Sequence, residues 1–131
     1  MFDPRTMSKP VYEALNRLSD QHSGNTARRK EQKGQAVELY TYLATWGMLR
    51  LKAEEKALSQ EGKRDVVKAF FQCLEDISEA EATTIAGQDG LITLKELETE
   101  AYLGLTGLGL TLAQEFSFWA TAVYADLKEV D

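Results

Sequence analysis

Proline is confined to the first ten residues of this 131-residue chain, at Pro4 and Pro10. Since proline lacks a backbone N–H and breaks the interior of a helix, residues 11–131 form a long stretch in which helices are unobstructed. The chain is 44% hydrophobic and 27% charged, which is typical of a globular rather than a disordered protein. Its length is that of one domain. We therefore expect an all-α fold, with residues 1–131 forming a single helical domain.

Sequence patterns in the first half of the chain predict three segments. Residues 1–8 are expected to form a loose N-terminal arm, with Pro10 near the start of the first helix. Residues 27–33 are polar on all sides, and Gly34 is expected to break or loosen any helix there. The helical pattern is strong over residues 35–60, and its apolar face is predicted to contain Val37, Tyr40, Leu43 and Leu51.

Two further helices are predicted in the second half. Residues 63–82 show an amphipathic pattern whose inward face contains Val66, Val67, Phe70, Phe71, Leu74 and Ile77. Thr93 and Glu96 match a capping box, which predicts that a helix begins there. The region that follows is mostly apolar and is expected to continue as a helix to about Lys128. The result is a bundle of about five helices with a long apolar C-terminal helix.

Charge is distributed very unevenly along the chain. Residues 1–68 contain 13 Lys and Arg against 9 Asp and Glu, so their net charge is +4. Residues 69–131 contain 2 basic and 12 acidic residues, so their net charge is −10. A basic half joined to an acidic half suggests a module that docks on a polyanion through one surface and on proteins through another.

The basic residues of the first half are the strongest candidates for a binding site. Four of them fall within six positions, at 28–33, and others follow on the next two predicted helices. Such side chains bind phosphates of single-stranded nucleic acid or RNA with weak sequence preference, although they could equally pair with nearby glutamates on an ordinary surface. The predicted nucleic-acid contacts are Arg28, Arg29, Lys30, Lys33, Arg50, Lys52, Lys56, Lys63 and Arg64.

The sequence offers few residues for catalysis or for binding a metal ion. Its one cysteine, Cys73, lies in an apolar helical run, and its one histidine, His22, precedes a polar turn. No catalytic constellation, cofactor or metal site is predicted. Asp89 and Glu96 resemble the second half of an EF-hand loop, but the first half lacks the oxygen ligands that calcium needs. A degenerate calcium-binding protein is therefore the weakest of the functional alternatives.

The last predicted helix carries more apolar side chains than a small bundle needs to bury. Gln114 and Glu115 lie near its middle, which argues against a membrane span and favours a cytoplasmic protein. Some of the apolar residues are expected to contact another protein subunit, and the alternative is that this helix lies at the centre of the core. The predicted partner interface contains Leu105, Leu108, Leu112, Phe116 and Trp119.

Three segments resemble the small α-helical subunit of CRISPR–Cas effector complexes, especially the type III small subunit. The first is residues 39–49, LYTYLATWGML, with a Gly-apolar pair near its end. The second is residues 66–71, VVKAFF. The third starts with residues 102–110, YLGLTGLGL, and continues with residues 118–124, FWATAVY. Together with the sequence around them, these segments extend the resemblance over about two-thirds of the chain.

The resemblance implies a helical, non-catalytic subunit that contacts crRNA and target RNA through basic surface residues. It also implies stacking with other effector-complex subunits and head-to-tail self-association. A basic half and an acidic half suit such stacking. The alternative class of function is a helical protein–protein adaptor without nucleic-acid binding. An enzyme is the least expected class.

Overall fold

The computed structural model describes residues 3, 5–78 and 84–127, and within these residues the chain is helical with no β-strand. The predicted all-α bundle is therefore confirmed, with six helices rather than about five. Their bounds are α1 Arg5–Gln21, α2 Thr26–Trp46, α3 Met48–Ala57, α4 Glu61–Ile77, α5 Gly90–Glu96 and α6 Thr99–Val123.

The core forms where α6 packs along α2 and α1, and where α2 packs on α4. Arg29 at the start of α2 bonds Asp126 just beyond α6, whereas Leu49 just after α2 bonds Tyr102 at the start of α6. The two helices are therefore antiparallel. Phe70, on α4, lies edge-on to both Phe71 and Phe116, with ring centroids 5.2 and 5.8 Å apart. No helix among the described residues is long and apolar enough to cross a membrane.

The first helix begins earlier than the sequence predicted, because residues 5–8 of the expected loose arm are helical. Asp3 accepts hydrogen bonds from the backbone N–H and the guanidinium of Arg5, and so supports the first turn. Met7 is buried, and the Ser8 hydroxyl donates to Glu115 of α6 at 2.6 Å. Pro10 lies inside α1, where the missing N–H removes one hydrogen bond near the helix start.

The second helix runs without interruption through Gly34, contrary to the expected break. Asn25 caps it by accepting from the Arg28 N–H at 3.0 Å. The face buried by α2 differs in phase from the predicted one. Ala36 and Leu39 are buried together with Leu43, whereas Val37 and Tyr40 are each 37% exposed.

The predicted helix over residues 35–60 is instead two helices separated at Gly47. This glycine has φ +89°, a conformation that residues with a Cβ rarely adopt, so the chain turns there. The turn leaves the first N–H groups of α3 without helical acceptors. The Tyr102 hydroxyl of α6 accepts one of them, from Leu49, at 2.9 Å. Met48 and Leu51 then bury the inner face of α3.

The fourth helix confirms the inward face predicted for residues 66–74, and Ile77 is partly buried against the core. Its predicted continuation to Ala82 lies outside the described residues. The prediction that a capping box starts a helix at Thr93 is wrong. Thr93 lies inside the short helix α5, and its hydroxyl donates to the backbone carbonyl of Asp89. The last helix starts at Thr99 and ends at Val123, while Lys128 lies outside the described residues.

A candidate anion-binding cleft

Arg28, the first residue of the predicted basic cluster, forms ion pairs within the protein. The Arg28 guanidinium donates to both oxygens of Asp65 at 2.8 Å, and it also pairs with Glu61 at 2.6 Å. Burial alone would raise the pKa of the Asp65 carboxyl, but hydrogen bonds from Arg28 and Gln32 and the charge of Arg28 lower it below its usual value. Arg28 therefore joins α2 to α4 instead of facing solvent.

Two other predicted contacts, Arg29 and Lys33, hold the segment that follows α6. Arg29 makes two parallel hydrogen bonds to Asp126, at 2.7 and 2.8 Å, and its guanidinium lies 5.5 Å from the Tyr124 ring centroid. The hydrogen bonds from Arg29 lower the pKa of the Asp126 carboxyl. Lys33 donates to the backbone carbonyl of Leu127. These side chains are structural, which the sequence alone did not reveal.

A fully buried glutamine, Gln32, lies at the centre of the polar contacts at this end of the bundle. Gln32 has no exposed surface, and both ends of its amide are paired. Its oxygen accepts from the Tyr124 hydroxyl at 2.7 Å, and its nitrogen donates to Asp65 at 3.0 Å. Burial raises the pKa of the Tyr124 phenol, so the hydroxyl stays a donor at ordinary pH. This buried polar network links α2, α4 and the segment after α6.

Lys52 is buried as well, although the sequence placed it on the surface. Its side chain is only 3% exposed, and its ammonium donates to Glu55 at 2.9 Å. The same ammonium lies 4.8 Å from the Phe71 ring centroid, within the range of a cation–π interaction. A buried lysine is compensated here by one carboxylate and one aromatic ring.

The cationic cleft is an open depression of about 830 Å³ between α1, α3, α4 and the segment around residues 86–91. Four cations from three helices line it: Arg17, Lys52, Lys56 and Lys68. The lining carboxylates are Glu55 and Asp65, and each is already paired with a cation, Lys52 and Arg28 respectively. Arg17, Lys56 and Lys68 have no ion pair within the part of the chain that the structure describes. The geometry leaves three positive charges around one cleft.

Two of the four cations in this cleft, Arg17 and Lys68, were not among the predicted contacts. Lys68 could have been found, because it follows Arg64 by one helical turn and lies on the same face of α4. Arg17 is isolated in sequence and joins the others only because α1 packs on α4. Only Lys52 and Lys56 of the nine predicted contacts line the cleft.

The other predicted cations are distributed over separate surfaces. Lys30 is exposed on α2, and Lys63 and Arg64 are half-buried on the first turn of α4. Arg50 stacks its guanidinium over the indole of Trp46, 4.1 Å from the ring centroid. Their contact with nucleic acid remains a prediction.

The predicted partner interface on α6 is wrong for most of its residues, because they belong to the core. Leu105, Leu112 and Phe116 are buried against the neighbouring helices. Leu108 and Trp119 are partly buried, and Trp119 packs edge-on against Tyr12 with ring centroids 5.5 Å apart. Apolar residues surround α6 on all sides, so their periodicity did not identify the buried face.

The surroundings of Cys73, Asp89 and Glu96 favour neither nucleophilic attack nor metal binding. Burial raises the pKa of the Cys73 thiol to about 11, so the thiol stays protonated and is a poor nucleophile. Asp89 precedes α5 and Glu96 is its last residue, so the two carboxylates lie at opposite ends of the helix. Across residues 3, 5–78 and 84–127 no three His, Cys, Asp or Glu side chains come close enough to share a metal ion.

Comparison with known proteins gives no match to this chain among family models, curated proteins or solved structures.

Proposed function

We propose that this chain is a non-catalytic helical subunit that binds the backbone of nucleic acid through the cationic cleft. The observation that carries the proposal is the charge balance of the cleft. Arg17, Lys56 and Lys68 converge from three helices, while both carboxylates beside them are paired with other cations. In a chain of net charge −6, such a local excess of positive charge is a specific feature that favours an anionic ligand.

The chemistry of the lining favours the phosphodiester backbone over the bases. Three glutamine amides supply neutral hydrogen-bond donors beside the cations, at Gln21, Gln72 and Gln88. The described residues of the lining include no aromatic side chain on which a base could stack. Contacts of this kind position a strand without reading its sequence, so weak sequence preference is expected.

The proposal extends to the setting in which the subunit works, an RNA-guided CRISPR–Cas effector complex with crRNA and target RNA as its ligands. The resemblance of residues 39–49, 66–71, 102–110 and 118–124 to the small subunits of such complexes supports this part. The all-helical fold agrees with that resemblance at the level of fold class.

We expect the protein to bind labelled single-stranded RNA in a fluorescence anisotropy titration at low salt. The triple variant Arg17→Ala/Lys56→Ala/Lys68→Ala should bind at least roughly tenfold more weakly, because three phosphate contacts are lost. Each contact to a single strand contributes about 0.7 to the slope of log affinity against log salt, so the slope should fall by about 2. A duplex RNA measured in parallel shows whether the cleft prefers unpaired strands.

The matched control is Arg5→Ala/Lys9→Ala/Lys95→Ala, which removes one arginine and two lysines from exposed positions outside the cleft and outside the predicted contacts. Equal losses in both triple variants would show a diffuse electrostatic attraction, and the cleft would not be the site. If wild-type protein fails to bind RNA at low salt, the adaptor alternative replaces the nucleic-acid proposal.

A further inference from the structure

The exposed face of α6 differs from the rest of the surface because it carries no charge. Between Ala101 and Ala125 the single charged residue is Glu115, which lies on another side of the helix and accepts from Ser8. The uncharged face is formed by exposed residues spaced by three or four positions: Leu103, Gly107, Thr111, Gln114, Phe118 and Thr121. Leu103 and Phe118 are 62% and 60% exposed, the highest values among the large hydrophobic residues described.

The uncharged face continues onto the neighbouring helix. Tyr40 lies one turn after Ala36, whose carbonyl accepts from Ser117 of α6, and Val37 lies one turn after Lys33, which bonds Leu127 beyond α6. Both residues are therefore on the side of α2 that borders α6, and each is 37% exposed. At 1.5 Å per residue the face spans about 30 Å along α6, and with α2 it is about 15 Å wide. It could therefore bury roughly 400–500 Å² on each partner, near the lower limit for a specific interface.

We propose that this face pairs with the same face of a second copy of the chain, with the two α6 helices antiparallel. Four of the six exposed residues pair symmetrically about the middle of the helix, between Leu110 and Thr111, and Thr111 lies next to this point. A two-fold axis there places Leu103 against Phe118 of the other copy and Gly107 against Gln114. Large side chains then meet at the ends and a glycine accommodates a long side chain near the centre, as a self-complementary surface requires.

Charge selects the antiparallel arrangement over the parallel one. Glu98 and Glu100 lie at the start of α6, and both are exposed. A parallel pair would bring these carboxylates of the two copies together and would align the helix dipoles. The antiparallel pair separates them and sets each acidic end beside the uncharged end of the partner helix. This face-to-face pairing differs from the head-to-tail stacking that the sequence resemblance implies.

Single cysteines test the symmetry of the pair directly. Under mild oxidation Thr111→Cys should form a disulfide-linked dimer, because residue 111 lies beside its own copy across the two-fold axis. Leu103→Cys alone and Phe118→Cys alone should cross-link at least tenfold more slowly, whereas an equimolar mixture of the two should give a mixed dimer. Wild-type protein is the first control because its Cys73 is buried, and Ile92→Cys, on exposed α5, is the second.

Sedimentation velocity measures the same association without a cross-link. Wild-type protein should shift from one to two chains with a dissociation constant of roughly 10–100 µM, as expected for an interface this small. Phe118→Glu should raise that constant at least tenfold, and Ile92→Glu should leave it unchanged. The cleft triple variant should dimerise like wild type, because the inference does not depend on nucleic-acid binding. A monomer at every concentration, or cross-linking of Ile92→Cys as fast as Thr111→Cys, would overturn the proposal.

Discussion

Replacing Asp65 with alanine is expected to lower the free energy of unfolding by about 2–3 kcal/mol. The carboxylate accepts two hydrogen bonds from Arg28 and one from the fully buried Gln32. Its removal leaves the nitrogen of the buried Gln32 amide with only His22 Nδ1, at 3.1 Å, and leaves Arg28 with only its exposed partner Glu61. Urea denaturation followed by circular dichroism at neutral pH gives the free energy directly.

The matched control is Asp126→Ala, which removes a carboxylate that is 60% exposed, while Arg29 keeps its hydrogen bond to Ser19 and its contact with the Tyr124 ring. Solvent screens the exposed carboxylate, so this substitution should lower the urea midpoint less than Asp65→Ala does. Equal effects of the two substitutions would mean that the buried polar network adds nothing beyond a surface ion pair.

The low-pH stability of the protein should change in the same variant. The pKa of Asp65 is lower in the folded protein than in the unfolded chain, so the ionised carboxylate stabilises the fold above the unfolded pKa of about 4. This contribution is lost as the pH falls through the folded value. The difference in stability between wild type and Asp65→Ala should therefore shrink below about pH 4, and a constant difference would argue against this mechanism.

Replacing Gly62 with alanine is expected to destabilise the protein by about 2–3 kcal/mol. A Cβ at this position of α4 would overlap the backbone carbonyl of Arg28 and the side chain of Glu31. The Glu31 carboxylate also accepts the Gly62 N–H at 2.9 Å, and this bond would be strained. Because a backbone atom cannot yield as a flexible side chain can, α2 and α4 would have to separate. Thermal unfolding measures the loss as a lower midpoint.

Gly34 provides the opposite case in a helix of the same protein. A Cβ there would meet no atom within 4 Å, and the glycine lies in the interior of α2. Gly34→Ala should therefore stabilise the protein by about 0.5–1 kcal/mol, since it reduces the freedom of the unfolded chain. If both substitutions raised the midpoint, helix propensity rather than helix spacing would govern these positions.

Local patterns predicted the fold class and the helix with the clearest amphipathic pattern. On α4 the hydrophobic residues from Val66 to Leu74 define a single face of the helix, and the structure buries that face. The pattern failed on α2, because Val37 and Tyr40 predict one buried face, whereas the structure buries the face that contains Ala36 and Leu39. The local sequence does not distinguish these two faces, since the buried one is decided by how α6 and α4 pack.

The candidate site was less predictable because it depends on contacts between distant residues. The run from Arg28 to Lys33 looked like a polyanion-binding surface, yet the acidic partners of Arg28 and Arg29 lie 37 and 97 positions later. Sequence proximity cannot reveal such pairs. The cleft has the same origin, since Arg17 meets Lys56 and Lys68 only after α1, α3 and α4 have packed.

The buried polar network also has a consequence for the order of events in a growing chain. Gln32 and Arg29 emerge from the ribosome early, but their partners Tyr124 and Asp126 are among the last described residues to be synthesised. At about 5–20 residues per second, several seconds separate the two ends of this contact. During that interval the face of α2 that contacts α6 has no partner, and the Gln32 oxygen lacks the Tyr124 hydroxyl. The first helices therefore cannot complete their packing until α6 and the segment around Tyr124 have been made, and until then the nascent chain exposes apolar surface to aggregation or to chaperones.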